Sequence, residues 1–253
     1  MLLKNLISIS NKKFQAIKIK NLALDSRKVK KGTLFFAISG DKFDGKDFIK
    51  DAIKNGAAAI ICARGTKIKN INFPIIKVKN CKKILSKTCK IFFKNKPKNI
   101  IAVTGTNGKT SVSDYFYQVL KSNRIPVGSI GTLGIKYKNK VIKTDLTTPD
   151  IITIHKNLEQ IKKEKIDNVI LEASSHGLYQ NRLEGLELKA GIFTNLSQDH
   201  LDYHESMKKY LNAKLILFKK LLNKKTFLIT DSQIEEFPIL KKISKKRGLK
   251  ILD

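Results

Sequence analysis

Two hydrophobic periods alternate along the chain. Continuous apolar runs at 33–38, 57–62 and 74–78, and again at 99–104, 168–172, 190–194 and 226–230, are separated by stretches whose apolar residues return at helical spacing. The first kind is expected of strands buried on both faces of a parallel sheet, the second of helices that cover such a sheet. Helical patterns fall at 48–55, in the lysine-rich 83–98, from Lys109 onward through Val112, Tyr115, Phe116, Val119 and Leu120, and over 207–218 and 235–247. Residues 127–141 read as an inserted strand pair turning at Lys138-Asn139-Lys140. This alternation predicts an α/β chain with a mostly parallel sheet, organised as a small N-terminal domain over residues 1–82 and a central domain over 83–253.

One change of period carries chemistry. In NIIAVTGTNGKTSVSDYFYQVLKS a strand passes into a helix through Gly105-Thr106-Asn107-Gly108. Such a turn aims backbone N–H groups and the positive end of a helix dipole at one point, and its glycines let the main chain approach an anion. Lys109 adds a full charge, and the Thr110 hydroxyl sits where a phosphate-bound Mg²⁺ takes an oxygen ligand. The usual GxxxxGK[ST] expression requires glycine where this chain has Val103. On these residues alone, an ordinary βα turn with a chance Gly-Lys-Thr remains open.

Charge and cysteine content narrow the field. At 253 residues, with 51 Lys and Arg against 21 Asp and Glu, the formal charge is +30. That excess invites a nucleic-acid reading. Against it, arginine is confined to Arg27, Arg64, Arg124, Arg182 and Arg247, and the lysines are spread over the whole length. Recognition of phosphates and bases favours arginine's planar fork, so the excess implies salt-sensitive sticking to polyanions and no specific nucleic acid. Cys62, Cys81 and Cys89 are odd in number and lack C-x-x-C spacing, which argues against a disulfide framework or a zinc site. No apolar run approaches the roughly 20 residues that span a bilayer, and MLLKNLISIS is interrupted too soon for a signal peptide, so a cytoplasmic location without membrane insertion is expected.

Three further polar clusters lie at predicted element ends: TTPD at 147–150 before a helix, EASSHGLYQNRL at 172–183, and TNLSQDHLDYH at 194–204 with Lys214 beyond it. Ligands of parallel sheets collect at the carboxyl ends of the strands. Any one of these residues is more often structural than functional. Their gathering at the end that carries the glycine turn is what argues for a site.

With LDSRKVKKGTLFFAISGDKFDG in the first domain, TGTNGKTS, TTPD, EASSHGL and TNLSQDHLDYH, the chain resembles the Mur ligase family over almost its whole length. The SSHGL and DHLDYH clusters are similar to the branch that adds the third residue of the peptidoglycan peptide. The resemblance implies a UDP-substrate-binding N-terminal domain and a P-loop-type central ATPase domain. It further implies an ATP-dependent ligase that joins a diamino acid to UDP-N-acetylmuramoyl-L-alanyl-D-glutamate through an acyl phosphate. By matching, Gly105, Thr106, Asn107, Gly108, Lys109, Thr110 and Ser111 hold ATP. Thr110, Glu172, His200 and a CO₂-derived carbamate on Lys214 surround Mg²⁺, with Lys109, Glu172, His200 and Lys214 as the catalytic set. Leu24, Ser26, Asp41, Lys42 and Phe43 meet the uridine end, while Thr147, Thr148, Ser174, Gln180 and Arg182 meet the muramoyl peptide. A monomer is expected. Relatives carry a longer central domain and a C-terminal amino-acid-binding domain, so the chain reads as truncated, and which diamino acid is added lies outside it. A binding-only remnant that holds nucleotide or UDP-muramoyl dipeptide without turnover is the alternative expectation.

Overall fold

The computed structural model describes residues 1–9, 11–40, 43–68 and 72–253. The chain divides into two compact units, Met1–Lys94 and Asn95–Asp253.

In the first unit, β1 (Asn21–Ala23), β2 (Thr33–Ala37), β3 (Ala57–Ala63) and β4 (Ile75–Val78) form a parallel sheet in that order. All five residues of β2 are buried, as its unbroken TLFFA run predicts for a strand covered on both faces. Phe35, Ala37, Ile60 and Cys62 pack with Ile49 and Ala52 of a short helix at Ile49–Lys54. A longer helix, Cys81–Phe92, packs on β2 and β3 and buries Leu85 and Cys89. Its first turn is capped by the Asn80 side chain, which accepts from the Lys83 N–H. This packing keeps the helix with the first unit, so the compact units part after Lys94 and not after residue 82. Cys62, Cys81 and Cys89 are free and buried.

The second unit holds a sheet of order β12-β11-β10-β5-β9-β6-β7-β8. Its strands are β5 (Asn99–Thr104), β6 (Val127–Gly131), β7 (Gly134–Tyr137), β8 (Lys140–Ile142), β9 (Asn168–Glu172), β10 (Leu188–Phe193), β11 (Leu222–Thr230) and β12 (Lys250–Leu252). β12 to β6 are parallel, while β7 and β8 add antiparallel strands at one edge. The strand pair expected over 127–141 is therefore three strands. β6 pairs with β9 inside the parallel sheet, and a turn at Thr132 and Leu133 precedes the one at Lys138 and Asn139.

Five helices of this unit bear on the site: α1 (Lys109–Ser122), α2 (Ile151–Lys163), α3 (Ser175–Tyr179), α4 (Leu201–His204) and α5 (Met207–Ile216). On α2, Ile154, Leu158 and Ile161 recur at helical spacing and are fully buried in the core with Val169 and Leu171 of β9. The Asp150 carboxylate starts the helix by accepting from the Ile152 and Thr153 N–H groups. The buried line of α1 differs from the expected one. Ser113 and Tyr117 face inward, while Tyr115 and Val119 are exposed, because the helix packs closely on β6 and β9 and the small serine lies at that contact. Among the described residues, no helix is long and apolar enough to cross a membrane.

Leu158→Ala removes a side chain with no exposed surface. Chemical denaturation should show a loss of roughly 2–5 kcal/mol. A change inside ~0.5 kcal/mol would contradict this description of the core.

Candidate functional site

The site of the second unit is built where β5, β9 and β10 end side by side. Val103 lies opposite Glu172 and Thr104 opposite Phe193, so the glycine turn, the acidic strand end and the 194–197 segment emerge at one level. Gly105 cannot be another residue here: a Cβ would stand 1.8 Å from Thr194 Oγ1. The 194–197 segment latches the loop. Thr106 N–H donates to the Asn195 carbonyl at 3.0 Å and Asn107 N–H to Asn195 Oδ1 at 2.9 Å, while Thr194 Oγ1 donates to the Asn107 carbonyl at 2.6 Å. Thr106 Oγ1 accepts from Ser197 N–H at 3.0 Å and lies 3.2 Å from Tyr210 OH. With those two loop amides engaged, the anion-binding donors are the N–H groups of the first turn of α1, which have no helical acceptor.

Two lysines converge on the loop's first carbonyl. Lys109 Nζ donates to the carbonyls of Gly105 at 3.0 Å and Thr106 at 2.7 Å, and Lys214 Nζ donates to Gly105 at 2.6 Å. Burial, against the attraction of Glu172 and Asp199, lowers the pKa of Lys109. Lys214, on α5, has 1% of its surface exposed and lies 4.1 Å over the Tyr210 ring. Burial first, then the positive charge of Lys109, brings its pKa down to about 7.

Beside the loop, the Glu172 side chain is 2% exposed and accepts three hydrogen bonds. Thr132 N–H reaches Oε1 at 3.0 Å, and the hydroxyls of Thr110 and Thr132 reach Oε2 at 2.9 and 3.0 Å. Gly131 permits this approach, since a Cβ there would lie 2.1 Å from Oε1. Thr147 Oγ1 is 3.1 Å from Thr132 Oγ1. A carboxylate among hydroxyls is the all-oxygen donor set that Mg²⁺ prefers. Among the described residues no cationic side chain pairs with Glu172, and no group of three or more His, Cys, Asp or Glu is placed to hold a metal.

Of the residues expected around a metal, Thr110 and Glu172 are in contact, whereas Lys214 meets the loop through Gly105. His200 lies 6.0 Å from the Tyr210 ring that Lys214 covers. It lies in a left-handed conformation, φ 52°, before α4, with its ring 5.0 Å from that of His176 and its Nε2 3.4 Å from Asp199 Oδ2. His204 is buried near it with an unpartnered Nε2, and burial followed by the charges of His176 and His200 depresses its pKa to about 4.

The peptide-side residues form one hydrogen-bonded group. Thr148 Oγ1 donates to the Glu172 carbonyl at 2.7 Å and accepts from Ser174 N–H at 2.9 Å, and Ser174 Oγ caps α3 by accepting from Gly177 N–H. Arg182 donates to the Thr148 carbonyl at 2.5 Å and to Gln180 Oε1, and Gln180 Nε2 donates to Tyr203 OH at 3.0 Å.

In the first unit, Asp41 and Lys42 lie outside the described residues. Ser26 is 5% exposed, Leu24 is half-buried, and Phe43 is freely exposed against the edge of Phe48. A cleft of about 750 Å³ at the carboxyl ends of β2, β3 and β4 is lined instead by residues including Ser39, Asp44, Lys46, Lys67, Lys79 and Lys82. Sequence reading missed these lysines because nothing distinguishes them from the many others. It also missed Thr132 and Tyr210, and it gave Thr194 and Asn195 no role beyond membership of the 194–204 cluster. The glycines at 131 and 134 that frame Thr132 were the available signal.

The chain matches the family model described as Mur ligase middle domain over residues 103–253, and Mur ligase family, catalytic domain, over residues 18–114. It is 41% identical over 208 residues to the UDP-N-acetylmuramoyl-L-alanyl-D-glutamate--2,6-diaminopimelate ligase of Brucella melitensis biotype 1, covering 82% of this chain and 43% of that one. Against the protein of the same name from Clostridium tetani it is 40% identical over 235 residues, 91% of this chain and 48% of the other. The chain thus spans under half the length of these curated relatives. A solved structure bearing the same ligase name superposes with TM-score 0.82 at 29% identity, over 100% of this chain and 52% of that one. The MurF ligase from Thermotoga maritima shares the fold, with TM-score 0.62 at 23% identity over 92% of this chain and 49% of the other.

The shifted Lys214 has a stability consequence. The unfolded chain keeps this proton up to the ordinary lysine value of 10.5, the folded chain only to about 7. Between those values the unfolded state binds more protons, so stability rises with pH. Below the folded value both states are protonated and the slope vanishes. In bicarbonate-free buffer, the unfolding free energy should rise by ~1–3 kcal/mol more in the wild type than in Lys214→Met between about pH 7 and pH 9. Parallel pH profiles would show that Lys214 titrates normally.

Proposed function

The chain belongs to the Mur ligase family, and from that premise we propose that it carries the nucleotide-binding and carboxylate-activating part of an ATP-dependent ligase. The reaction joins a diamino acid, 2,6-diaminopimelate by the names of the curated relatives, to UDP-N-acetylmuramoyl-L-alanyl-D-glutamate. The observation that carries this reading is the contact of Thr110, in the first turn of α1, with the buried Glu172 carboxylate at 2.9 Å beside the glycine loop held by the 194–197 segment.

The chemistry needs a triphosphate held in line with an attacking carboxylate. The first-turn amides of α1 and the Lys109 ammonium take the phosphates. Two of the three Lys109 donors are engaged by Gly105 and Thr106, and the third is left for the β and γ phosphates. A D-glutamate carboxylate oxygen attacks the γ-phosphorus and ADP departs. The amine of the diamino acid then attacks the acyl carbon, its proton is lost, and phosphate leaves. Glu172 and Thr110 would hold Mg²⁺, which would neutralise phosphate charge, and His200 is the family-derived addition to that set. The Thr148, Ser174, Gln180 and Arg182 group orients the peptide carboxylates, with Arg182 supplying forked donors. Thr147 joins that set through its hydroxyl.

Lys214 is the residue carried as a carbamate. Its amine is buried, and with a pKa of about 7 half of it is neutral near physiological pH and able to attack CO₂. The carbamate replaces an ammonium that repels both Lys109 and a metal with an anion that attracts them. In the first unit Leu24, Ser26 and Phe43, with Asp41 and Lys42, take the uridine end. The lysine-lined cleft supplies charge for the diphosphate. ATP as reactant places the reaction in the cytoplasm, and the protein acts as a monomer.

Two measurements on the 253-residue chain test this. Lys109→Ala should weaken ADP–Mg²⁺ binding roughly tenfold or more by calorimetry while leaving UDP-muramoyl dipeptide binding within about twofold. Loss of both ligands together in a folded variant, or of neither, would contradict the separate roles. With ¹³C-bicarbonate, the wild type should show a carbamate carbon resonance that is absent in Lys214→Met. No such resonance, or the same one in both proteins, would remove the carbamate.

A further inference from the structure

We propose that Thr132, in the turn between β6 and β7, is a positioning residue that fixes the Glu172 carboxylate for the nucleotide-bound metal. The inference rests on the nucleotide-site reading above and assigns a residue outside the matched set.

Thr132 supplies two of the three hydrogen bonds that Glu172 accepts, its N–H to Oε1 and its hydroxyl to Oε2, both at 3.0 Å. Two donors from one residue on the two oxygens of a carboxylate fix its rotation as well as its position. The third donor, Thr110, is itself a candidate metal ligand and also lies 3.3 Å from the Thr132 hydroxyl, so Thr132 is the one donor that holds both carboxylate oxygens. A threonine hydroxyl has one hydrogen. With that hydrogen on Glu172, the oxygen of Thr132 accepts from Thr147 at 3.1 Å and so joins the peptide-side residues to the metal-side carboxylate. The backbone is arranged for the contact. Ile130 pairs with Leu171 in the parallel register, Gly131 leaves no Cβ between strand and carboxylate, and Thr132 follows at the strand end. Thr132 itself is exposed and contributes little to the core, so its replacement leaves the fold intact.

Removing a group that orients a metal ligand costs about tenfold to a hundredfold in metal affinity. The test follows Mn²⁺ uptake by electron paramagnetic resonance in the presence of ATP on the full chain, in wild type, Thr132→Val and Thr132→Ser. Metal-free ATP binding and thermal melting are measured alongside. Thr132→Val, which keeps shape and backbone N–H but loses the hydroxyl, should bind Mn²⁺ about tenfold to a hundredfold more weakly. Thr132→Ser should stay near wild type, metal-free ATP binding should be unchanged in both, and Thr132→Val should remain folded with its melting lowered only by the loss of one hydrogen bond to a buried carboxylate. Mn²⁺ affinity of Thr132→Val within about twofold of a wild type that binds normally overturns the positioning role and leaves the nucleotide site standing. So does a serine variant as weak as valine, or an equal loss of metal-free ATP binding. A folded wild type that takes up no Mn²⁺ with ATP overturns the site reading and this inference together.

Discussion

The site depends on the parallel register of three neighbouring strands. β5 runs between β10 and β9 with Thr104 beside Phe193 and Val103 beside Glu172, so three loops with different chemistry leave the sheet at the same height. A slip of one residue in β9 would turn the Glu172 side chain to the opposite face. The same pairing, carried to β6 through Ile130 and Leu171, puts a glycine and not a side chain against the carboxylate. Burial of β5 and β9 on both faces protects that register, because a slip would bring side chains of the wrong size into the close-packed layers on each face. The apolar packing of α2 against β9 is therefore also what holds the geometry of the candidate site.

Around this frame, location matters more than total charge. The chain carries a formal +30, yet most of its lysines lie on the exposed surface. Lys109 and Lys214 differ because both donate to the carbonyl of Gly105 and both are desolvated. Each raises the cost of keeping the other charged, and Lys214, the more deeply buried, gives way first. On the other side of the loop Glu172 is a buried acid held by neutral donors. The arrangement places desolvated positive and negative groups within one site, attracting one another without a direct ion pair to Glu172 among the described residues, and a magnesium nucleotide would complement both.

Much of this was legible in the chain. The strands over 99–104 and 168–172 coincide with β5 and β9, because apolar runs ending in a glycine turn or an acidic cluster have few other readings. The glycine loop, TTPD, SSHGL and DHLDYH segments do fall at strand and helix ends of one unit. Short or edge elements were harder. β1 and β12 are each three residues long, and the β6 to β8 region hid a strand because Thr132-Leu133-Gly134 is a turn without proline or asparagine. Hydrogen bonds across long separations, such as Asn107 to Asn195 and Thr106 to Tyr210, leave no periodic trace. Nor does periodicity tell one lysine of a basic chain from another, which is why the cleft beside β2 to β4 went unnoticed while Lys109 and Lys214 were found through their motifs. The helix at Cys81–Phe92 was placed on the wrong side of the boundary because its lysine-rich exposed face resembles a linker.

The latch of Thr194, Asn195 and Ser197 on the glycine loop has a kinetic meaning. Ordering a flexible loop costs conformational entropy, and a loop that orders only on contact meets this cost at each encounter with its ligand. Here the main chain of Thr106 and Asn107 is held by groups of the protein itself. If the loop takes phosphate as proposed, capture needs less search among loop conformers, and the residence time of the nucleotide, more than its rate of arrival, is the quantity that substitutions in the 194–197 segment would change.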